Sequence, residues 1–177
     1  LPVPWAAVGA SREPGRVDPD WLVVGFFGSV YPHKGAHQLV EAAQSVNANV
    51  LVRIHGEVPD QIREQLTRLD RRGVVELCGA FSPSELPGLL AQVDAAALPS
   101  VWWDCAPLTA GECLAARVPV IAPRMGGLAE CIQDGVDGLA YDGLDVEGMA
   151  TAIERLATEP GLLESLQTNI RAPRGFA

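Results

Sequence analysis

Basic charge is what this sequence has least to spare: 13 Lys and Arg stand against 22 Asp and Glu, a formal net charge of −9. A nucleic-acid backbone needs a basic face, so nucleic acid is excluded as a partner. An anionic small molecule is not, because a few local donors can hold a phosphate on an acidic protein. Paired cysteines are missing too. Cys78, Cys105, Cys113 and Cys131 lie far apart with no C-x-x-C pair, which argues against a disulfide framework and a zinc site. Three of them sit among apolar residues, where a reduced Cys acts as a small hydrophobe, and a cytoplasmic protein is the simple expectation. No apolar run reaches the roughly 20 residues that span a bilayer. The dinucleotide fingerprint G-x-G-x-x-G is absent, as are internal repeats and low-complexity tracts. The chain opens on Leu1 with no charged-then-apolar leader, and reads as a piece excised from a longer protein.

What is present fits one soluble domain. The 177 residues are 48% hydrophobic and 20% charged, enough to bury a core covered on two sides. Residues 1–20 are rich in Pro and Gly and read as a linker or arm that packs on something else. WLVVGFFG then reads as a buried strand, its apolar run continuous rather than alternating. Leu39, Val40, Ala43 and Val46 share one face of a helix over 35–46. NVLVRIHG is a second strand, a helix over 59–69 begins at a proline, and VVEL is a short third strand. Ser84 opens a helix to Val93, and Asp94 leads into the strand AAALP. After PSVWWDCA come a helix over 107–117, the strand VPVIA, a short helix over 127–132 and the strand GLAY. Asp145 caps an amphipathic helix over 146–157. A further helix from Pro160 and a loose tail make a terminal section over 161–177, outside a main domain over 21–160.

Strand and helix alternate throughout with short connections. That pattern specifies an α/β domain, a doubly wound, Rossmann-like parallel sheet with helices on both faces. Ligands of such sheets bind beyond the carboxyl ends of the strands. The first such loop is Gly28-Ser29-Val30-Tyr31-Pro32-His33-Lys34-Gly35, where Lys34 stands at the mouth of a helix. Unpaired amides, a positive dipole end and a full charge together suit a diphosphate; taken alone, the loop equally fits a solvated lysine. His33 and His37 are four apart, but with no carboxylate or Cys nearby they read as surface or cap residues, not as a metal pair.

The loop after the fourth strand is richer. Asp104 lies just ahead of the helix that Pro107 starts, and Glu112 follows eight positions later. The free amides of Leu108 and Thr109, and the Thr109 hydroxyl, are available at the helix mouth. Glu112 sits among Gly111, Cys113, Leu114 and Ala115, so its carboxylate asks for a donor such as a vicinal diol. Asp104 can equally be a helix-terminal charge, and Trp102 or Trp103 simple packing.

This stretch, PSVWWDCAPLTAGECLAARVPVIAP, resembles the signature of the retaining glycosyltransferases of family GT4, built on the GT-B architecture of two facing Rossmann-like domains. In that family a loop beginning Pro-Ser carries the first Glu of a Glu-x7-Glu motif, and the following helix carries the second. Asp104 matches the first position and Glu112 the second. VVGFFGSVYPHKGAHQLVEAA, VELCGAFSPSELPGLLAQVDAAALPS and MGGLAECIQDGVDGLAYDGLD are similar to the family's other segments in order and spacing, and the likeness spans roughly residues 20–160. It implies the carboxyl-terminal, donor-binding half of such an enzyme, whose partner domain would hold the acceptor. It implies a UDP- or GDP-sugar as ligand and no further cofactor or metal. By resemblance, Lys34 holds the diphosphate together with Gly28, Ser29 and amides at Ala106, Leu108 and Thr109. Glu112 binds the ribose and Asp104 the transferred sugar, so that Lys34, Asp104 and Glu112 carry the chemistry. Cys78, Gly79 and Phe81 fall where main-chain groups meet the nucleobase. The resemblance also implies a cytoplasmic enzyme, at most peripheral to a membrane.

Two positions depart from the pattern: Ser29 stands where the family has Arg, and Asp104 is one methylene shorter than Glu. With the arginine missing, another cation such as Arg124 is a candidate to share the diphosphate. Three rival readings remain open: a degenerate, non-catalytic binding module, a UDP-sugar epimerase of the same architecture, and a thiol enzyme using Cys105.

Overall fold

The run predicted to be the first strand is β1 (Leu22–Phe27), buried along its whole length. In the computed structural model, which describes residues 13–103 and 108–171, five more strands follow. They are β2 (Val50–His55), β3 (Val75–Gly79), β4 (Ala95–Ala97), β5 (Val120–Pro123) and β6 (Gly138–Tyr141). The helices between and after them are α1 (Ala36–Ser45), α2 (Asp60–Leu69), α3 (Leu86–Leu90), α4 (Leu108–Ala115), α5 (Gly126–Cys131), α6 (Val146–Thr158) and α7 (Leu162–Asn169). The strands form one sheet in the order β3-β2-β1-β4-β5-β6, and each neighbouring pair is parallel.

Side-chain alternation along β1 and β2 divides the core between two faces. Leu22, Val24 and Phe26, with Val50, Val52 and Ile54, pack against α1, α2, α6 and α7. Val23 and Phe27 point the other way, into a cluster with Leu86 and Leu90 of α3, Cys113 and Leu114 of α4, and Leu128 of α5. The chain therefore winds to one side after β1 and to the other after β4. Because β1 and β4 are neighbours and the helices that follow them lie on opposite faces, the usual ligand position in such sheets falls at the carboxyl edge between them.

Three elements differ from the sequence reading. A 3-10 turn, Pro32–Lys34, precedes α1 and ends at Gly35, whose φ of 72° is left-handed. A Cβ at Gly35 would land on the carbonyl oxygen of Pro99, so this position needs both the conformation and the missing side chain. β3 runs on to Gly79, whose carbonyl accepts from the Gly56 amide at 2.7 Å. α3 is shorter than expected, and Ser84 is not its cap. Ser82 instead donates through its amide and its hydroxyl, each at 2.7 Å, to the Glu85 carboxylate. After Leu90 the chain turns so that the Asp94 amide can reach Val23 at 2.7 Å.

The described end of the arm, residues 13–20, and the last helix pack on the sheet and its helices. The Gln167 side-chain amide accepts from the Gly15 amide at 2.6 Å and donates to the Gly15 carbonyl at 3.3 Å. The Arg16 guanidinium donates to the carbonyls of Leu156 and Ala157 at the end of α6. Fully buried Asp94 accepts from the amides of Val17 at 2.6 Å and Val23 at 2.8 Å. Leu163 and Leu166 of α7 lie in the core. Among the described residues no helix is long and apolar enough to cross a membrane.

Candidate functional site

At the exits of β1 and β4, the first loop that the sequence singled out meets the described part of the second. His33, beside Lys34, accepts at its carbonyl from the Val101 amide at 2.9 Å and from the Ser100 hydroxyl at 3.4 Å. Gly35 lies against Pro99. The Lys34 turn is thus fastened to the loop that leads towards α4. Lys34 is half-buried there, while Ser29 is exposed and Gly28 half-buried at the end of β1. Gly28 donates to the His55 carbonyl at 2.9 Å, which aligns the exits of β1 and β2.

On α4, Ala110, Gly111, Cys113 and Leu114 face the core. Glu112 is half-buried between them, and its carboxylate makes no hydrogen bond or ion pair with a described residue. Desolvation, with nothing opposing it, pushes its carboxyl above the usual carboxylate range. A carboxylate so placed is short of a donor. Leu108 is exposed and Thr109 half-buried at the start of the helix, where the first amides of a helix find no carbonyl within it. Asp104, Cys105, Ala106 and Pro107 lie outside the described residues. The roles expected for Asp104 and Ala106, and the thiol reading of Cys105, therefore receive no structural account.

Cys78, Gly79 and Phe81 stand at the exit of β3. The Cys78 thiol is exposed, and burial of its surroundings followed by the Glu76 charge pushes it above the usual thiol range. Gly79 has a left-handed φ of 84°. Phe81 sets its ring edge-on to Phe27, with centroids 6.3 Å apart, and to His55 at 6.4 Å. Phe27 and His55, paired in register, stack with centroids 5.1 Å apart. This three-ring cluster was not foreseen. Its one visible signal was a histidine closing an otherwise apolar strand end.

Arg124, the substitute cation considered for Ser29, is engaged by two carboxylates. Its guanidinium bonds Asp134 at 2.5 Å and Asp142 at 2.9 Å, and so ties the exits of β5 and β6 to the turn between α5 and β6. Tyr31 stacks on His33 with centroids 5.9 Å apart. Trp102 and Trp103 are about 70% exposed (70% and 69%), which sets aside the packing reading for both.

Comparison with known proteins adds to this geometry. Residues 22–159 match the model of the family described as glycosyl transferases group 1. A D-inositol 3-phosphate glycosyltransferase of Actinosynnema mirum is 32% identical over 188 aligned positions, covering 96% of this chain and 44% of the relative. The chain thus spans under half the length of that relative. Among solved structures, Anabaena HepE in complex with UDP and glucose superposes with a TM-score of 0.78 at 24% identity, over 86% of this chain and 43% of that one. The C-terminal domain of a group 1 family glycosyl transferase, LpcC of Francisella tularensis, does so with 0.69 at 19% identity, over 84% and 81%. These likenesses show the fold, a Rossmann-like sheet of the GT-B kind. The family match extends through the β1 loop, the β3 exit and α4, and on that ground the chain belongs to the glycosyl transferases group 1 family.

Proposed function

We propose that this domain binds the donor of a retaining glycosyltransferase of the GT4 kind, a nucleoside diphosphate sugar, in the crevice between β1 and β4. The observation that carries the reading is Glu112, a half-buried carboxylate with no partner among the described residues. It stands on the helix that begins beside the loop bonded to the Lys34 turn. A ribose diol supplies the donors that this carboxylate lacks. Negative charge growing on the departing diphosphate is met by Lys34 and by the first amides of α4, at Leu108 and Thr109. Gly28 and Ser29 line the same turn, and the main chain of Cys78, Gly79 and Phe81 faces the base. Asp104 contacts the transferred sugar, and Ala106 adds an amide at the phosphate. HepE was crystallised with UDP and glucose, so a UDP-sugar is the first donor to try and a GDP-sugar the second.

In this reading the acceptor is held by a second domain of the full-length enzyme, which transfers a hexose in the cytoplasm. The domain by itself binds donor weakly and transfers nothing. Isothermal titration of UDP-glucose and of a GDP-sugar against the chain tests the reading. Lys34→Ala and Glu112→Gln should each weaken binding about tenfold or more, the loss of one charge-assisted contact. Heat from neither donor would overturn the donor reading and leave the non-catalytic module, which exposed Ser29 and the engaged Arg124 favour.

A further inference from the structure

The His55 side chain has no part in the donor scheme above, yet it occupies a central place in the architecture of the carboxyl edge. The residue is 5% exposed. Its Nε2 is enclosed and finds no hydrogen-bond partner among the described residues, a condition that costs about 1–3 kcal/mol in a folded protein. An aliphatic residue would fill the end of a buried strand without that cost. The geometry shows what the imidazole gains in return. One face lies on Phe27, the last residue of β1, and Phe81 meets it edge-on from beyond β3. Its carbonyl holds the Gly28 amide, and the amide of the next residue, Gly56, holds the Gly79 carbonyl. A Cβ at Gly56 would strike the Gly28 carbonyl oxygen, so the exits of β1 and β2 are already at closest approach.

We propose that His55 is a positioning residue, whose neutral imidazole holds the Gly79–Phe81 turn against the end of β1 in the arrangement that receives the nucleotide. This rests on the donor reading of the crevice. Charging the ring would place an unpaired cation donor between two phenyl rings and loosen the turn. The titratable and charged groups around it are Arg53 on its own strand and Glu76 and Cys78 on β3; β1 (LVVGFF) and α3 (LPGLL) bring none. Burial first, and Arg53 second, hold the imidazole below its usual value, with Glu76 opposing. The neutral form therefore persists through neutral pH. It is lost only as pH falls below about 6.5 and through the lowered value.

The test follows UDP affinity and amide NMR spectra of the chain across that acid range, for the wild type, His55→Phe and His55→Leu. In the wild type, the Gly79 and Phe81 amides should shift with the titration of His55, without ligand, while α6 amides stay still. UDP affinity should fall over the same range. His55→Phe keeps the rings but cannot charge, so its acid profile should carry only the titrations of UDP's own phosphate and of Glu112, which the wild type shares. His55→Leu should weaken UDP about fivefold at pH 7, the worth of an aromatic contact. If His55→Leu does not fold, the comparison of wild type with His55→Phe still decides. Identical acid profiles for those two, or Gly79 and Phe81 amides blind to the titration, overturn the inference alone. A wild type that binds no UDP at any pH overturns the donor reading first, and this inference with it.

Discussion

At the scale of single residues, Glu112 and Arg124 show how similar sequence signals separate once partners are visible. Both are charged, Arg124 at the exit of β5 and Glu112 within α4. Arg124 is neutralised by two carboxylates, whereas Glu112 meets only desolvation. With its carboxyl held above the usual range, the folded chain binds the Glu112 proton more tightly than the unfolded chain does. Its contribution is therefore most favourable at low pH, and is lost as pH rises from about 4.3 through the raised value. Glu112→Gln should accordingly stabilise the unliganded chain modestly at pH 7, with the gain vanishing near pH 4, as read from urea unfolding at the two pH values. A variant less stable at pH 7 would mean that the carboxylate has a donor inside the fold. Binding should move the other way, because the diol contact is lost as the unfavourable charge is removed.

At the scale of elements the sequence was most readable. A continuous apolar run marked β1, helical spacing marked α1 and α6, and a starting proline marked α2, because burial on two faces or on one leaves its period directly in the residue order. Where a local bond decided the outcome, the reading slipped. Ser82 and Glu85 close a turn that displaced the expected start of α3, and the 3-10 turn before α1 depends on a glycine fitted to Pro99 from another loop. The end of α4 carries a similar local feature. Val118 donates to Cys113 and Arg117 to Leu114, the paired bonds of a Schellman cap. Its left-handed position is held by Arg117, at φ 57°, rather than by glycine. Arg117→Gly should raise stability by about 1 kcal/mol, since a side chain in that region costs roughly 1–2 kcal/mol and glycine's extra unfolded freedom returns part of it. Chemical denaturation is the measurement, and a loss of stability would show that the arginine side chain contributes more than its backbone costs.

At the scale of the whole molecule, topology concentrates the site. The sheet order places the β1 and β4 exits side by side, and the loops that follow them bear Lys34 and lead to Glu112. These residues lie 78 positions apart (112 − 34), and the winding pattern brings the loops that lead to them to one edge of the sheet. What the sequence did not disclose are contacts whose partners are distant in the chain and chemically ordinary. They include the Phe27, His55 and Phe81 rings, and the seat of Gly15 on Gln167. Asp94 belongs with them: it read as a strand entry, but its carboxylate joins the arm to β1. Asp94→Ala would leave two amides without acceptors and should lower stability by roughly 3 kcal/mol. Urea midpoints would show it, and a change under about 1 kcal/mol would mean that the arm contributes little to the fold.

The Gln167 side chain meets Gly15 as a second peptide group would, donating and accepting at once across 152 positions of chain. Tension applied through residues 13 and 171 therefore reaches this latch and the Arg16 guanidinium before it reaches any strand. The sheet is shielded from that load by a fastening that lies outside it.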